Sequence, residues 1–330
     1  MRNYKNRSPR VSKGGTIRNR SPRVSKGGTI RKLNPPLLTR GLLLLFACIL
    51  LLPACKSTIL QKSEEGKMRD IADDLGRKIK IPENIERAVS LAPNLTENIF
   101  SVGAGDRLVG VTSFCNFPED ANKIAKVGDT INPNIEAIIA LKPQVVFVST
   151  ASQIENFTKT LEQQNIAVFV TAPKDLNGIL ANLRQLGDIF GTTERTTILL
   201  NELQEKIIAT DEKVAGKTKV KTFVQISKEP LFTIGKDSFL TEIIERAGGT
   251  SVTKDVATAY PKLSKETALA LNPDVIILSE SPDNLEPNDV FKNSNAVKNK
   301  KVFKINADLL SRPSPRLIDA LEQLTEALHP

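Results

Sequence analysis

A repeat within the chain restricts its possible folds more than any other feature. Asn134–Ser149 reads NIEAIIALKPQVVFVS, and Ser264–Ser279, 130 residues later, reads SKETALALNPDVIILS, with six of sixteen positions identical. Each copy holds an N-cap residue (Asn134, Ser264), a short helix, a Pro that stops it (Pro143, Pro273) and a buried-looking strand. The reading that follows is a chain built from two related lobes.

The segments around the repeat agree with this. Short β-branched runs alternate with helical stretches: Arg87–Leu91, Leu108–Thr112, Gln144–Ser149 and Ile166–Val170 in the first half, then Lys219–Ile226, Asp274–Ser279 and Lys301–Ile305 in the second. Helices between strands imply α/β lobes with central, mainly parallel sheets of Rossmann-like character. Between the halves, 175–217 carries Leu176, Ile179, Leu180, Leu183 and Leu186, then Ile198, Leu199, Leu203 and Ile207, at helical spacing interrupted at Gly191-Thr192-Thr193. The expectation is an N-terminal lobe over 73–174, a bridging region over 175–217 dominated by one long α-helix, and a C-terminal lobe over 218–330. Two such lobes leave a cleft at the C-terminal ends of their strands, where sheets of this kind bind ligands.

The N-terminal 54 residues read as an address. Residues 42–52, LLLLFACILLL, follow Arg40 and precede Pro53-Ala54-Cys55. Eleven helical residues span only about 16 Å, too short for a bilayer core but right for the apolar part of a secretory signal. Upstream, Asn6–Arg18 (NRSPRVSKGGTIR) recurs unchanged as Asn19–Arg31, a polar, basic tandem repeat with no apolar periodicity. Leu52-Pro53-Ala54-Cys55 resembles a bacterial lipobox, which makes Cys55 the expected lipidation site and 55–72 a tether. The charge follows this division. The chain has formal charge +9, but residues 1–54 hold twelve Lys and Arg and no acid, so the remainder is slightly acidic. A nucleic-acid partner is therefore not expected. With the leader removed and Cys55 lipidated, Cys115 is the remaining thiol, and no disulfide supports the fold.

The chemistry available is narrow. The single His is the penultimate residue, His329, so neither a His/Cys zinc site nor a His-based triad can be assembled. No nucleophile elbow or Walker loop occurs, and Gly103-x-Gly105 lacks the third Gly of a dinucleotide fingerprint. The expectation is a binding protein with no catalytic residues, no resident metal and no cofactor.

The segments DDLGRKIKIPENIERAVSLAPNLTE (Asp73–Glu97), RLVGVTSFCNFP (Arg107–Pro118), KVGDTINPNIEAIIALKPQVVFV (Lys126–Val148), YPKLSKETALALNPDVIIL (Tyr260–Leu278) and SRPSPRLIDALEQL (Ser311–Leu324) resemble the bacterial substrate-binding proteins of the cobalamin and ferric-siderophore ABC importers. The resemblance covers about Met68–His329 and implies an exported, lipid-anchored, monomeric receptor. Such a receptor would hand cobalamin or a related corrinoid to a permease dimer with its ATPase subunits. The alternative ligand is a ferric siderophore, with haem less favoured.

By the same resemblance, Phe114, Thr130, Phe232, Tyr260, Asp308 and Arg312 lie near the cleft, and Glu136 and Glu266 dock onto the permease. The internal repeat reaches the same two glutamates independently, since they occupy equivalent positions of its copies. Arg312 and Arg316 are expected to offer guanidinium donors to a ligand phosphate or carboxylate, or else to pair within the terminal helix. Mass spectrometry of protein from the membrane fraction is expected to show a lipid-modified N-terminus at Cys55; a product cut elsewhere and soluble would refute the anchor.

Overall fold

The computed structural model describes residues 67–150 and 154–330. The leader, its tandem repeat and Cys55 lie outside these residues. The first described elements are β1 (Met68–Ala72) and β2 (Lys78–Pro82), an antiparallel hairpin. Asp73 closes its turn, accepting from the backbone N–H of Leu75 and Arg77 at 3.1 and 2.9 Å and pairing with the Arg77 guanidinium at 2.8 Å. This corrects the expectation of a tether reaching residue 72, because β1 is already part of the folded body.

The N-terminal lobe follows as β3 (Ala88–Ser90), α1 (Pro93–Ser101), β4 (Leu108–Val111), α2 (Ile135–Ala140), β5 (Val145–Ser149), α3 (Ile154–Glu162) and β6 (Ala167–Thr171). Its four strands run in the order β4-β3-β5-β6, all parallel. The bridging region is α4 (Leu176–Phe190) and α5 (Thr193–Val214). The C-terminal lobe contains β7 (Val220–Ser227), β8 (Phe232–Thr233), α6 (Phe239–Arg246), β9 (Gly249–Ser251), α7 (Lys265–Leu271), β10 (Val275–Glu280), α8 (Asn295–Lys298), β11 (Val302–Asn306), α9 (Ala307–Ser311) and α10 (Arg316–Leu328). Here β11, β10 and β7 are parallel neighbours, and the far edge of β7 takes β9 in parallel and the two-residue β8 antiparallel.

The two repeat copies adopt the same local structure. Asn134 caps α2 through Ala137 N–H at 2.9 Å, and Ser264 caps α7 through Thr267 N–H at 3.1 Å. Both helices end on a left-handed residue at the equivalent place, Lys142 (φ 49) and Asn272 (φ 35), immediately before the Pro. The strands that follow, β5 and β10, each lie between two parallel partners.

The bridge is helical throughout, but in two pieces. Gly191 takes φ 70, a left-handed C-cap that ends α4 and that a side chain would resist. The start of α4 lies against the C-terminal lobe, where Leu176 N–H donates to Glu242, and its end lies against β1, where Arg69 donates to the Asp188 and Ile189 carbonyls. The 22-residue α5 then returns to the C-terminal lobe, where Arg246 pairs with Asp211 at 3.0 Å; it is the single long helix that the periodicity predicts, with α4 beside it.

Side chains alternate across each sheet. One face of the first sheet (Ala88, Val145, Phe147, Phe169) and one face of the second (Val224, Val275, Ile277, Ile305) enter the same apolar core, together with α1, α4, α5, α6 and α10. The opposite faces close separate clusters: Val89, Val146, Val148 and Val168 under α2 and α3, and Phe223, Ile276 and Leu278 under α7 and α8. Phe147, fully buried, stacks obliquely on Phe169 and Phe190 at centroid distances of 5.6 and 5.4 Å, linking the sheet to α4. Phe147→Ala is expected to lower stability by about 3–5 kcal/mol in chemical denaturation; a loss under about 1 kcal/mol would refute this account of the core.

Candidate functional site

Both sheets end at one cavity. Its walls include Ser149 and Thr150 at the end of β5, Thr171 at the end of β6, Ile226 in the last turn of β7 and Ser279 in β10, and it encloses about 550 Å³. Ser149 and Ser279 are the final, identical residues of the repeat copies, so equivalent strand ends face the cavity from opposite lobes. Asn94 at the start of α1, Ser238 at the start of α6 and Ser311 at the end of α9 add further hydroxyl and amide groups. The Thr171 hydroxyl is buried without a protein partner. A buried polar group normally finds one, so this hydroxyl is a candidate contact for a ligand group in the cavity.

Of the six cleft residues expected from sequence, Tyr260 lines this cavity. Its loop is pinned on both sides, by Gly235 N–H to the Ala259 carbonyl at 2.9 Å and Thr233 N–H to the Pro261 carbonyl at 3.1 Å. The ring is 44% exposed. Burial of its hydroxyl end pushes the phenol above the usual tyrosine range, and the Ser238 hydroxyl opposes this, so the group is neutral at physiological pH. Phe232 sits half-buried in β8, bridged through its backbone to Lys262, beside rather than in the cavity wall.

Phe114 and Thr130 occupy neighbouring loops of the N-terminal lobe, joined by Ser113 N–H to the Gly128 carbonyl at 2.9 Å. Phe114 is 60% exposed, and Ile131 and Phe117 beside these residues are exposed as well, which makes an apolar rim. Asp129 stiffens the second loop, since its carboxylate accepts from the backbone N–H of Asn132 and Ile131, which also holds its pKa below the usual carboxylate range.

Arg312 and Asp308 belong to a cluster of polar side chains. Arg312 is 8% exposed. Its Nη1 donates to Glu97 Oε1 at 2.8 Å and to Asn116 Oδ1 at 2.7 Å, and its Nη2 pairs with Asp308 at 2.7 Å. Arg316 grips Glu97 side-on through Nε and Nη2, and Ser314 Oγ donates to the same carboxylate at 2.7 Å. Arg316 also lies 3.9 Å over the Phe117 ring, and Asn98 Nδ2 reaches the Pro313 carbonyl at 3.3 Å. All of these contacts but the Arg312–Asp308 pair, which lies within the C-terminal lobe, run between the lobes. Of the two alternatives for Arg312 and Arg316, the structure shows ion pairing, with a partner outside the terminal helix: a buried carboxylate, Glu97 at 1% exposure, holds both guanidinium groups.

No sequence signal marked Glu97, whose partners are more than 200 residues away. The identical serines of the repeat could have revealed Ser149 and Ser279. Glu136 and Glu266 are exposed in the first turns of α2 and α7, at equivalent places in the two lobes. Glu266 is held ionised below the usual carboxylate range by its own backbone N–H and by the Ser264 hydroxyl. Glu97→Ala, which takes their shared carboxylate from the buried Arg312 and the partly buried Arg316, is expected to cost about 3 kcal/mol of stability, read as a lowered denaturation midpoint. An unchanged midpoint would refute a stabilising role for this ion cluster.

Comparison with known proteins gives a consistent result. The family model described as Periplasmic binding protein matches residues 89–309. An uncharacterized ABC transporter substrate-binding lipoprotein, YvrC of Bacillus subtilis, is 29% identical over 302 residues, covering 87% of this chain and 95% of the relative. A vitamin B12-binding protein of Vibrio parahaemolyticus is 28% identical over 248 residues, covering 74% and 90%. The crystal structure of the periplasmic vitamin B12 binding protein BtuF of Vibrio cholerae superposes with a TM-score of 0.67 at 28% identity, covering 75% of this chain and 98% of that one.

Proposed function

The chain belongs to the periplasmic binding protein family, and from that premise we propose that it is an extracytoplasmic, lipid-anchored receptor of an ABC importer. It captures cobalamin or a related corrinoid in the cleft and delivers it to a permease dimer driven by ATPase subunits. The observation that carries the reading is the cavity of about 550 Å³ walled by the strand ends of both lobes, with the Tyr260 ring at its edge. A planar, amide-bearing macrocycle suits such a site. Aromatic rings give contact area at small entropic cost, and the hydroxyls of Ser149, Thr171, Ser238 and Ser279 meet amide groups. The vitamin B12-binding relatives support the same ligand class.

The chemistry of this chain is capture and presentation; energy for transport comes from the partner ATPases. Glu136 and Glu266 present one carboxylate from each lobe, which suits a symmetric partner with basic residues on each half. The second reading, a ferric-siderophore receptor, draws on the same hydroxyl-rich walls, which also suit the oxygen-rich periphery of an iron chelate.

Calorimetry of the full-length chain in detergent is expected to show cobalamin binding at micromolar concentration or tighter, and Tyr260→Ala is expected to weaken it about tenfold. Binding of ferric chelates with none of cobalamin would replace the first reading by the second. Glu136→Ala together with Glu266→Ala is expected to leave affinity unchanged and to reduce uptake in cells; undiminished uptake would remove the docking assignment.

A further inference from the structure

We infer that the cleft selects its ligand by charge, accepting neutral and cationic chelates and rejecting anionic ones, with Asp237 as the specificity-determining residue. This rests on the receptor reading above and adds to it a class of ligand.

Among the described residues lining the cavity, Asp237 carries the one formal charge. Tyr260 contributes none at physiological pH. The two guanidinium groups nearest the cleft do not offset this. Arg312 has its donors on Glu97, Asn116 and Asp308, and Arg316 has two of its donors on Glu97, so two bases and two acids form a closed, neutral set between the lobes.

The adjoining opening gives the same balance. Lys174 and Lys236 share it with Asp175, Asp237, Glu242 and Glu245. Asp175 and Glu242 are engaged at the start of α4, by Gly178 N–H at 2.7 Å and Leu176 N–H at 3.0 Å, and no excess of positive charge remains. At the two helix starts on the wall, one backbone donor is absent and another is engaged. Pro93 opens α1 without an N–H, and Ser238 Oγ already accepts from Leu240 N–H at the start of α6.

An anionic ligand entering this cavity therefore loses water, finds no base among the residues that line it and meets a carboxylate. A neutral or cationic ligand escapes that penalty. Discrimination of this kind works by repelling the wrong ligand as well as by holding the right one.

The test uses ligands matched in shape. The full-length chain is titrated with cyanocobalamin and with its monocarboxylic acids, in which one side-chain amide is a carboxylate. A second set pairs neutral and cationic ferric tris-hydroxamates with an anionic ferric tris-catecholate. In each set the anionic member is expected to bind at least tenfold more weakly. Asp237→Asn is expected to narrow that gap and Asp237→Lys to narrow it further or invert it; Asp237 is exposed, and an unchanged circular dichroism spectrum verifies the fold of both variants. Charge order within the hydroxamate and catecholate set, with no corrin bound, would support charge selection while removing the corrinoid reading. Equal affinity for cyanocobalamin and its acids, a gap indifferent to residue 237, or no binding by any member would each overturn the inference.

Discussion

The relative position of the two lobes depends on one buried carboxylate. Glu97 lies on α1 of the N-terminal lobe, 1% exposed, and both of its oxygens are occupied by Arg312, Ser314 and Arg316 of the C-terminal lobe. An ion of this kind is tolerated in the interior only where its partners are fixed, and removing either side leaves the other charge stranded. The partners are themselves fixed: Asp308 and Asn116 hold Arg312, and the Phe117 ring covers Arg316. The lobes are thus joined by a directional polar cluster on top of a non-directional apolar core. The core resists separation, and the cluster sets the angle.

From that joint the cleft takes its form. Pro313 lies between the two arginines, is held by Asn98 and also lines the cavity, so the residues that lock the lobes border the space in which a ligand sits. The duplicated helix–strand unit places equivalent hydroxyls at opposite walls, while the loop after β4 carries the exposed rings of Phe114 and Phe117 and the loop before α2 the exposed Ile131. Tyr260 lines the cavity from a loop pinned by backbone hydrogen bonds, which spares a ligand part of the entropy of ordering that loop.

The extent to which this was legible in the sequence follows from the range of the interactions. The strands of both sheet centres have long β-branched runs and were placed within a residue or two, as were the caps at Asn134 and Ser264, because these signals lie within a few residues of one another. The hairpin β1–β2 has no clear signal in sequence: its five-residue strands are polar and half exposed, and β1 looks like tether until Asp73 is seen closing the turn to β2. β8 and β9, of two and three residues, owe their existence to the edge of β7 rather than to their own composition. For Arg312 the sequence leaves ligand contact and ion pairing both open, because the carboxylate it meets in the structure is 215 residues distant.

The apolar core that runs without interruption through both sheets and the helices between them has a thermodynamic consequence. Two lobes with separate interiors would melt in two steps, each with its own midpoint. Here the inward faces of both sheets lose their cover together, so the folded body behaves as one cooperative unit and a ligand held at the junction raises the melting temperature of the whole.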